Sequence, residues 1–202
     1  LVFAALGALS LLVGNLAAIM QTNIKRMFAF STVSHMGFIL LAFMAGAVGF
    51  TAGLYYAITY AVMAAVSFGV LMVLSTKDIE CENIKDLAGL NQRHAWFAFL
   101  MLLSMFSMAG IPPLMGFYAK FGVIMALLKQ GYVWLSVFAV IMSLIGAFYY
   151  LRVVKVMYFD DSTHDQPVGS NYAAKFFLSV NAFLLILWGI MPQTVIDWCA
   201  RA

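Results

Sequence analysis

Runs of about twenty apolar residues recur along the whole chain, and none of them contains an aspartate or a glutamate. A helix needs about 20 such residues to cross the hydrocarbon core of a bilayer, which is ~30 Å thick. Lipid offers no hydrogen bonds, so a spanning segment must satisfy its backbone internally, and runs of this length do so as helices. With 65% hydrophobic and 9% charged residues, a soluble domain would have no polar surface to show. The fold expected is therefore all-α and polytopic, a single membrane domain over 1–202. Its six spans lie at about 1–20, 27–48, 51–75, 95–128, 133–156 and 172–190. A turn at Gly49, Phe50 and Thr51 is expected between the second and third. The chain opens at Leu1 inside an apolar run with no basic segment before it, which is not the pattern of a signal peptide. It reads as a fragment, or as the ordered part of a longer chain.

The fourth run is interrupted. Pro112 and Pro113 donate no backbone N–H, so the carbonyls of Met108 and Ala109 lose their helical partners and the helix breaks around Gly110, Pro112 and Pro113. In a membrane such a break survives where protein or water covers the freed groups. Lys120 follows about two turns later.

Charge decides how this run crosses. Counted as one crossing, it places Lys25, Arg26, Lys77, Lys85, Arg93, Arg152, Lys155 and Lys175 on one face, with Lys129 and Arg201 on the other. Counted as a re-entrant pair, it weakens that asymmetry. The excess of basic residues on cytoplasmic loops favours one crossing, with the polar loops 76–94 and 160–171 in the cytoplasm and the C-terminus on the far side. Lys25 and Arg26 then read as topology determinants, and Trp134, Trp188 and Trp198 as an aromatic belt near span ends. Loop 76–94 is expected to lie in water, and His94 and His164 are loop residues needing no function.

Depth follows from counting. Lys120 is nine residues from Lys129 and His35 nine from Arg26, each about 14 Å inward, so both sit near the midplane. A cation there is costly and is by default a candidate for ion or proton traffic; a lysine snorkelling from a helix end is the plainer alternative. Because no acidic residue shares its depth, desolvation disfavours the charged form and makes Lys120 able to release its proton. His35 ordinarily titrates near neutral pH and suits a relay, although a packed, hydrogen-bonded histidine fits as well. The hydroxyls of Ser31, Ser34, Tyr55, Thr59, Tyr60, Ser104, Ser107 and Tyr118 each donate and accept, as a water chain requires. Each alone also reads as an interhelical hydrogen bond.

The net charge of +3 implies no nucleic-acid partner. Cys81 and Cys199 lack C-x-x-C spacing and a nearby histidine, so no metal or iron–sulfur site is expected. The topology puts them on opposite faces, which excludes a disulfide between them.

The ordered motifs Gln21-Thr-Asn-Ile-Lys-Arg26, Ser31-Thr-Val-Ser-His35-Met-Gly37, Gly89-Leu-Asn-Gln-Arg93, Phe106-Ser-Met-Ala-Gly-Ile-Pro-Pro113 and Gly116-Phe-Tyr-Ala-Lys120 closely resemble the antiporter-like membrane subunits of bacterial respiratory complex I. The resemblance covers nearly the whole chain. It implies the last six helices, nine to fourteen, of a fourteen-helix subunit. In that family the twelfth helix is discontinuous and carries a mid-membrane lysine, matched by Lys120, while the tenth carries a histidine, matched by His35. Ala95, where relatives often have proline, departs from the pattern at the start of the twelfth helix. A lysine where one sister subunit has glutamate, and no long lateral amphipathic helix after the last span, narrow the resemblance within the family.

What the resemblance implies is a proton-translocating subunit of the bacterial inner membrane. Its partners would be other membrane-arm subunits, the lipid bilayer, protons and internal water. No cofactor is expected in this chain; NAD, flavin, iron–sulfur clusters and quinone would belong to partner subunits. Two rivals share these features: a large subunit of a multi-subunit sodium/proton antiporter, and a purely structural membrane module.

Overall fold

The computed structural model describes residues 2–75, 81–162 and 172–201. Regular structure among them is helical: α1 (Val2–Met20), α2 (Ile24–Ala42), α3 (Gly46–Leu74), α4 (Leu90–Ala109), α5 (Met115–Lys129), α6 (Val133–Phe159), α7 (Tyr172–Ile190) and α8 (Pro192–Arg201). Short 3-10 turns stand at Phe43–Ala45 and Ile84–Leu87. Four stretches among the described residues are long and apolar enough to cross a membrane: Val2–Met20, Ile24–Leu74 taken through its bend, Val133–Phe159 and Tyr172–Ile190. Their outward faces carry large apolar side chains, such as Leu9, Leu144 and Phe177, each more than half exposed, as lipid contact requires.

The expected turn at Gly49, Phe50 and Thr51 is absent, because those residues lie inside α3. The chain reverses at 43–46 instead, where Gly46 takes φ 64°, a conformation that costs side chains with a Cβ. Past it, α3 runs back along α2. Phe28 meets Phe68, with ring centroids 5.4 Å apart, Thr32 shares a hydrogen bond with Tyr60, and His35 faces Tyr56.

α1 and α2 approach closely through small residues. A Cβ on Gly14 would stand 2.6 Å from the Ser34 amide nitrogen, so only glycine permits the approach that brings Asn15 on α1 against Ser34 on α2. Small residues at helix contacts are the usual means of such packing in membranes.

The start of α2 is capped by Asn23, whose side chain accepts the Arg26 N–H at 3.0 Å. Here the expectation of a loop lying wholly in water needs correcting. Ile84, Leu87 and Leu90 are buried, and the segment bonds to the bundle end through Ile24 N–H to Glu82 O at 2.7 Å and Ile84 N–H to Thr22 O at 2.9 Å. The apolar residues at three-residue spacing give this segment a face to bury, and Asp86 caps it by accepting the N–H groups of Glu82 and Asn83 at 3.0 and 2.7 Å. His94 also lies within α4, at a kink with φ −143° and ψ 68°, rather than in a loop. Residues 76–80 and 163–171, with Lys77 and His164, fall outside the described residues.

α4 and α5 run end to end along α3 in one direction. Ser104 on α4 bonds Ser67 at 2.6 Å and donates to Met63 O at 2.8 Å. Farther on, Tyr118 and Gly122 on α5 face Tyr55 and Ala52. Rising numbers on one side thus meet falling numbers on the other. The backbone of the break is covered by α7, where a Cβ on Gly189 would overlap the Pro113 carbonyl oxygen. After α7, Pro192 opens α8, an amphipathic helix that buries Val195 and Cys199 and was not expected from the sequence.

Candidate functional site

α4 ends in a glycine cap. Gly110 has φ 88°, its N–H donates to Ser107 O at 3.0 Å, and Ile111 N–H reaches Phe106 O at 3.0 Å. This is the Schellman arrangement, which satisfies carbonyls a helix end would leave bare. On the other side, the first turn of α5 is anchored by Gly116 N–H donating to Ser107 Oγ at 3.0 Å. One carbonyl released by Pro113, that of Ala109, accepts a bond of 3.1 Å from Lys120 Nζ. The ammonium therefore caps the interrupted helix from inside the bundle. A bond with an ionised donor is stronger than one between neutral groups.

Lys120 is buried, with 6% of its surface exposed. Its Nζ lies 5.8 Å from the centre of the Phe38 ring, a cation–π distance. A Cβ on Gly110 would stand 3.1 Å from Lys120 Cδ, so glycine clears the path along which the lysine reaches back. No carboxylate among the described residues forms a salt bridge with it.

Lys120, His35, Ser34, Asn15, Tyr149 and Tyr150 line one small cavity. It leaves about 10 Å³ for the centre of a water molecule, the space of about one water. His35 is bonded at both ring nitrogens, Nδ1 2.8 Å from the Tyr56 hydroxyl and Nε2 2.9 Å from that of Tyr150. The Tyr150 hydroxyl is shared further with Ser31 Oγ. Tyr149 donates to Asn15 Oδ1 at 3.1 Å, and Asn15 Nδ2 donates to Ser34 Oγ at 3.0 Å. Every hydroxyl in this chain both gives and takes a proton. The hydroxyls of Tyr56, Tyr150 and Ser31 around His35 can thus reverse direction without moving a heavy atom, whereas the Asn15 amide, whose nitrogen only donates and whose oxygen only accepts, fixes the direction of its part.

A family model described as NADH:quinone oxidoreductase/Mrp antiporter, TM, matches residues 1–146. The chain belongs to that family. Among curated members it is 83% identical over 203 residues to NADH-quinone oxidoreductase subunit N of Neisseria gonorrhoeae, covering 100% of this chain and 42% of the relative. It is 51% identical over 200 residues to subunit N of Methylovorus glucosotrophus, covering 98% of this chain and 41% of the relative. The chain thus spans about two fifths of the length of these relatives. Among solved structures, respiratory complex I from Thermus thermophilus matches with TM-score 0.84 and 28% identity over 97% of this chain and 44% of that one. The Mrp complex from Dietzia matches with TM-score 0.86 at 21% identity, covering 98% and 46%, a likeness of fold.

For this member of the antiporter-like family, the expected residues divide into three groups. Lys120, His35 and Ser34 share the cavity, Ser31 joins it through Tyr150, and Tyr60 lies tilted against the His35 ring at 4.8 Å between centroids. Ser107 and Ser104 are joints, the first holding α5 to α4 and the second tying α4 to α3. Tyr55 and Tyr118 line a separate groove between α3 and α5, and Thr59 bonds back to Tyr55 O at 2.8 Å. The sequence reading missed Asn15, Tyr56, Tyr149 and Tyr150. An asparagine in the first apolar run and adjacent tyrosines in the fifth were the available signals. Burial, followed by Asp86, pushes the Cys81 thiol up to about 11, which keeps it protonated and unreactive at neutral pH.

Proposed function

We propose that this chain is the C-terminal part of a proton-translocating membrane-arm subunit of NADH:quinone oxidoreductase, of the subunit N type, in which Lys120 and His35 pass protons through a hydroxyl and water relay. The observation that carries the reading is a buried ammonium, capped by the carbonyl that Pro113 frees, in one cavity with His35. The similarity to subunit N relatives supports the choice within the family.

In this reading, six crossings are made by α1, α2, α3, the end-to-end pair α4 and α5, α6 and α7. The end with Arg26, Arg93 and Arg152 faces the cytoplasm, and α8 lies on the periplasmic side of the inner membrane. Redox groups reside in partner subunits, and charge displaced there by quinone reduction raises the cost of the Lys120 ammonium. Lys120 then gives up its proton; the neutral amine can still donate to the Ala109 carbonyl, while its cation–π attraction to Phe38 is lost. His35 and Tyr150 reload it through the water-sized space between them. Because both His35 nitrogens are bonded to hydroxyls, a proton taken at one nitrogen can leave from the other.

The test is Lys120→Ala in the assembled enzyme in proteoliposomes, with NADH-driven quinone reduction and proton uptake measured together. Pumping through this subunit is expected to be lost while electron transfer continues; unchanged proton uptake would refute the role. Tyr150→Phe removes one shared hydroxyl and should slow proton delivery about tenfold, the kinetic equivalent of a hydrogen bond of about 1.4 kcal/mol. The family description also names Mrp antiporters, so sodium-dependent proton movement in vesicles without NADH would favour that second reading.

A further inference from the structure

A basic residue stands next to the relay on the same helix. Arg152 on α6 follows Tyr149 and Tyr150 by three and two residues, about 4.5 and 3 Å along the helix axis. Its half-buried guanidinium donates through Nη1 to Ile19 O at 2.9 Å and through Nη2 to Gln21 O at 2.7 Å. These carbonyls belong to the end of α1, which closes at Met20. A helix end leaves such groups without intrahelical donors and carries partial negative charge, so a cation there is favourable. The anchor is itself fixed, because Gln21 N–H donates to Ala18 O at 3.2 Å and Gln21 Nε2 donates to Ala17 O at 3.0 Å.

α1 and α6 run parallel, since Asn15 meets Tyr149 and, farther along both helices, Ile19 and Gln21 meet Arg152. Where the relay passes between them the contact is smooth: α6 presents Gly146, and a Cβ there would stand 3.0 Å from Asn15 Oδ1. A glycine offers no side chain to interlock with a neighbouring helix, so polar bonds must set the height of α6 against α1. The bond from Tyr149 to Asn15, 3.1 Å long, joins neutral groups. Those from Arg152 have an ionised donor and a planar fork, and are the stronger. A slide of α6 by about 1.5 Å, the rise of one residue, is large against a hydrogen-bond range of about 2.7–3.2 Å, and Tyr150 bonds His35 Nε2 at 2.9 Å. We infer that Arg152 is a positioning residue for the proton relay: by holding the end of α1 it fixes the height of α6, and so keeps Tyr149 on Asn15 and Tyr150 on His35. Its consequence for proton delivery rests on the relay proposed above, whereas its effect on the place of Tyr150 does not. The bundle end has other ties, such as Gly89 N–H to Val156 O at 3.2 Å, so loss of the guanidinium shifts α6 without detaching it.

The experiment uses the assembled enzyme in proteoliposomes. Arg152→Met removes every donor at similar side-chain length. It should slow proton delivery through this subunit about as much as loss of the Tyr150 hydroxyl, roughly tenfold, while NADH-driven quinone reduction continues. Arg152→Lys keeps a cation that can donate to both carbonyls and should restore most of the rate. Added to Tyr150→Phe, Arg152→Met should slow delivery by less than about twofold more, because it acts through the hydroxyl that the first change removes. The geometry is read separately with Tyr150→3-fluorotyrosine, whose 19F resonance senses the hydrogen bond at the adjacent hydroxyl. Arg152→Met should shift that resonance and Arg152→Lys should return it toward its original position. Gly46→Ala, at the turn between α2 and α3, should leave it in place, which separates positioning from general loosening. An unshifted resonance in Arg152→Met, or full multiplication of the two slowings in the double variant, would overturn the proposal. If Lys120→Ala left pumping unchanged, the relay would fall, while the resonance would still decide whether Arg152 places Tyr150.

Discussion

The chain interrupts its apolar helices in two ways, at 43–46 and at 110–114, and the two interruptions differ in depth and in chemistry. At 43–46 the backbone reverses on an exposed glycine, with nothing within 4 Å of where a Cβ would be. At 110–114 the chain keeps its direction, and the freed groups are met by buried partners: Ser107 for the Gly116 amide, Lys120 for the Ala109 carbonyl, and Gly189 opposite Pro113. A turn near a surface hands its unpaired groups to water. A break inside the bundle must find protein partners, and here one of those partners is a titratable cation. The requirement to cap a helix thus places a proton-bearing group deep within the bundle.

Substitutions can break this comparison. The largest effect is expected from Gly116→Ala, whose new Cβ would overlap the Ser107 carbonyl. With backbone on both sides of the contact, the cost should be about 3 kcal/mol, read as a lower denaturant midpoint in detergent. Ser107→Ala should follow at about 1–3 kcal/mol, because it leaves the buried Gly116 N–H without an acceptor; measured cooperativity with Lys120→Ala would show that both side chains hold the same break. Gly46→Ala should cost least, about 1 kcal/mol, from the positive φ alone. If Gly46→Ala proved the more damaging of the two glycine changes, the contrast between a surface turn and a buried break would fail.

How much could be read in advance follows the same division. The break was legible because a proline's missing N–H is covalent chemistry, indifferent to packing. Lys120 stood out because its depth follows from counting residues along a helix. The turn was assigned to Gly49 instead of Gly46, since both are glycines in an apolar run and only the fold shows which has positive φ. Gly49 is needed for a different reason: it lies in α3, where a Cβ would overlap the Ala42 carbonyl. Tyr149 and Tyr150 read as ordinary aromatic filling of a span. The α1 and α2 approach through Gly14, and the packing of α6 beside it, turned their hydroxyls inward toward His35 and Asn15. Tyr55 and Tyr118 belonged to the expected water path, yet they face the α3 and α5 groove, because α5 is rotated to aim Lys120 at the opposite side.

The sequence by itself determined that these helices belong in lipid, that one of them breaks, and that a single ammonium follows that break within an apolar run that holds no acidic residue. Each of those follows from composition, covalent structure or linear distance. Only the tertiary structure decided that the ammonium closes the broken helix and that His35 is bonded at both nitrogens. These depend on which helix faces meet, and a chain whose helices are apolar on nearly every side carries little periodicity from which to read that.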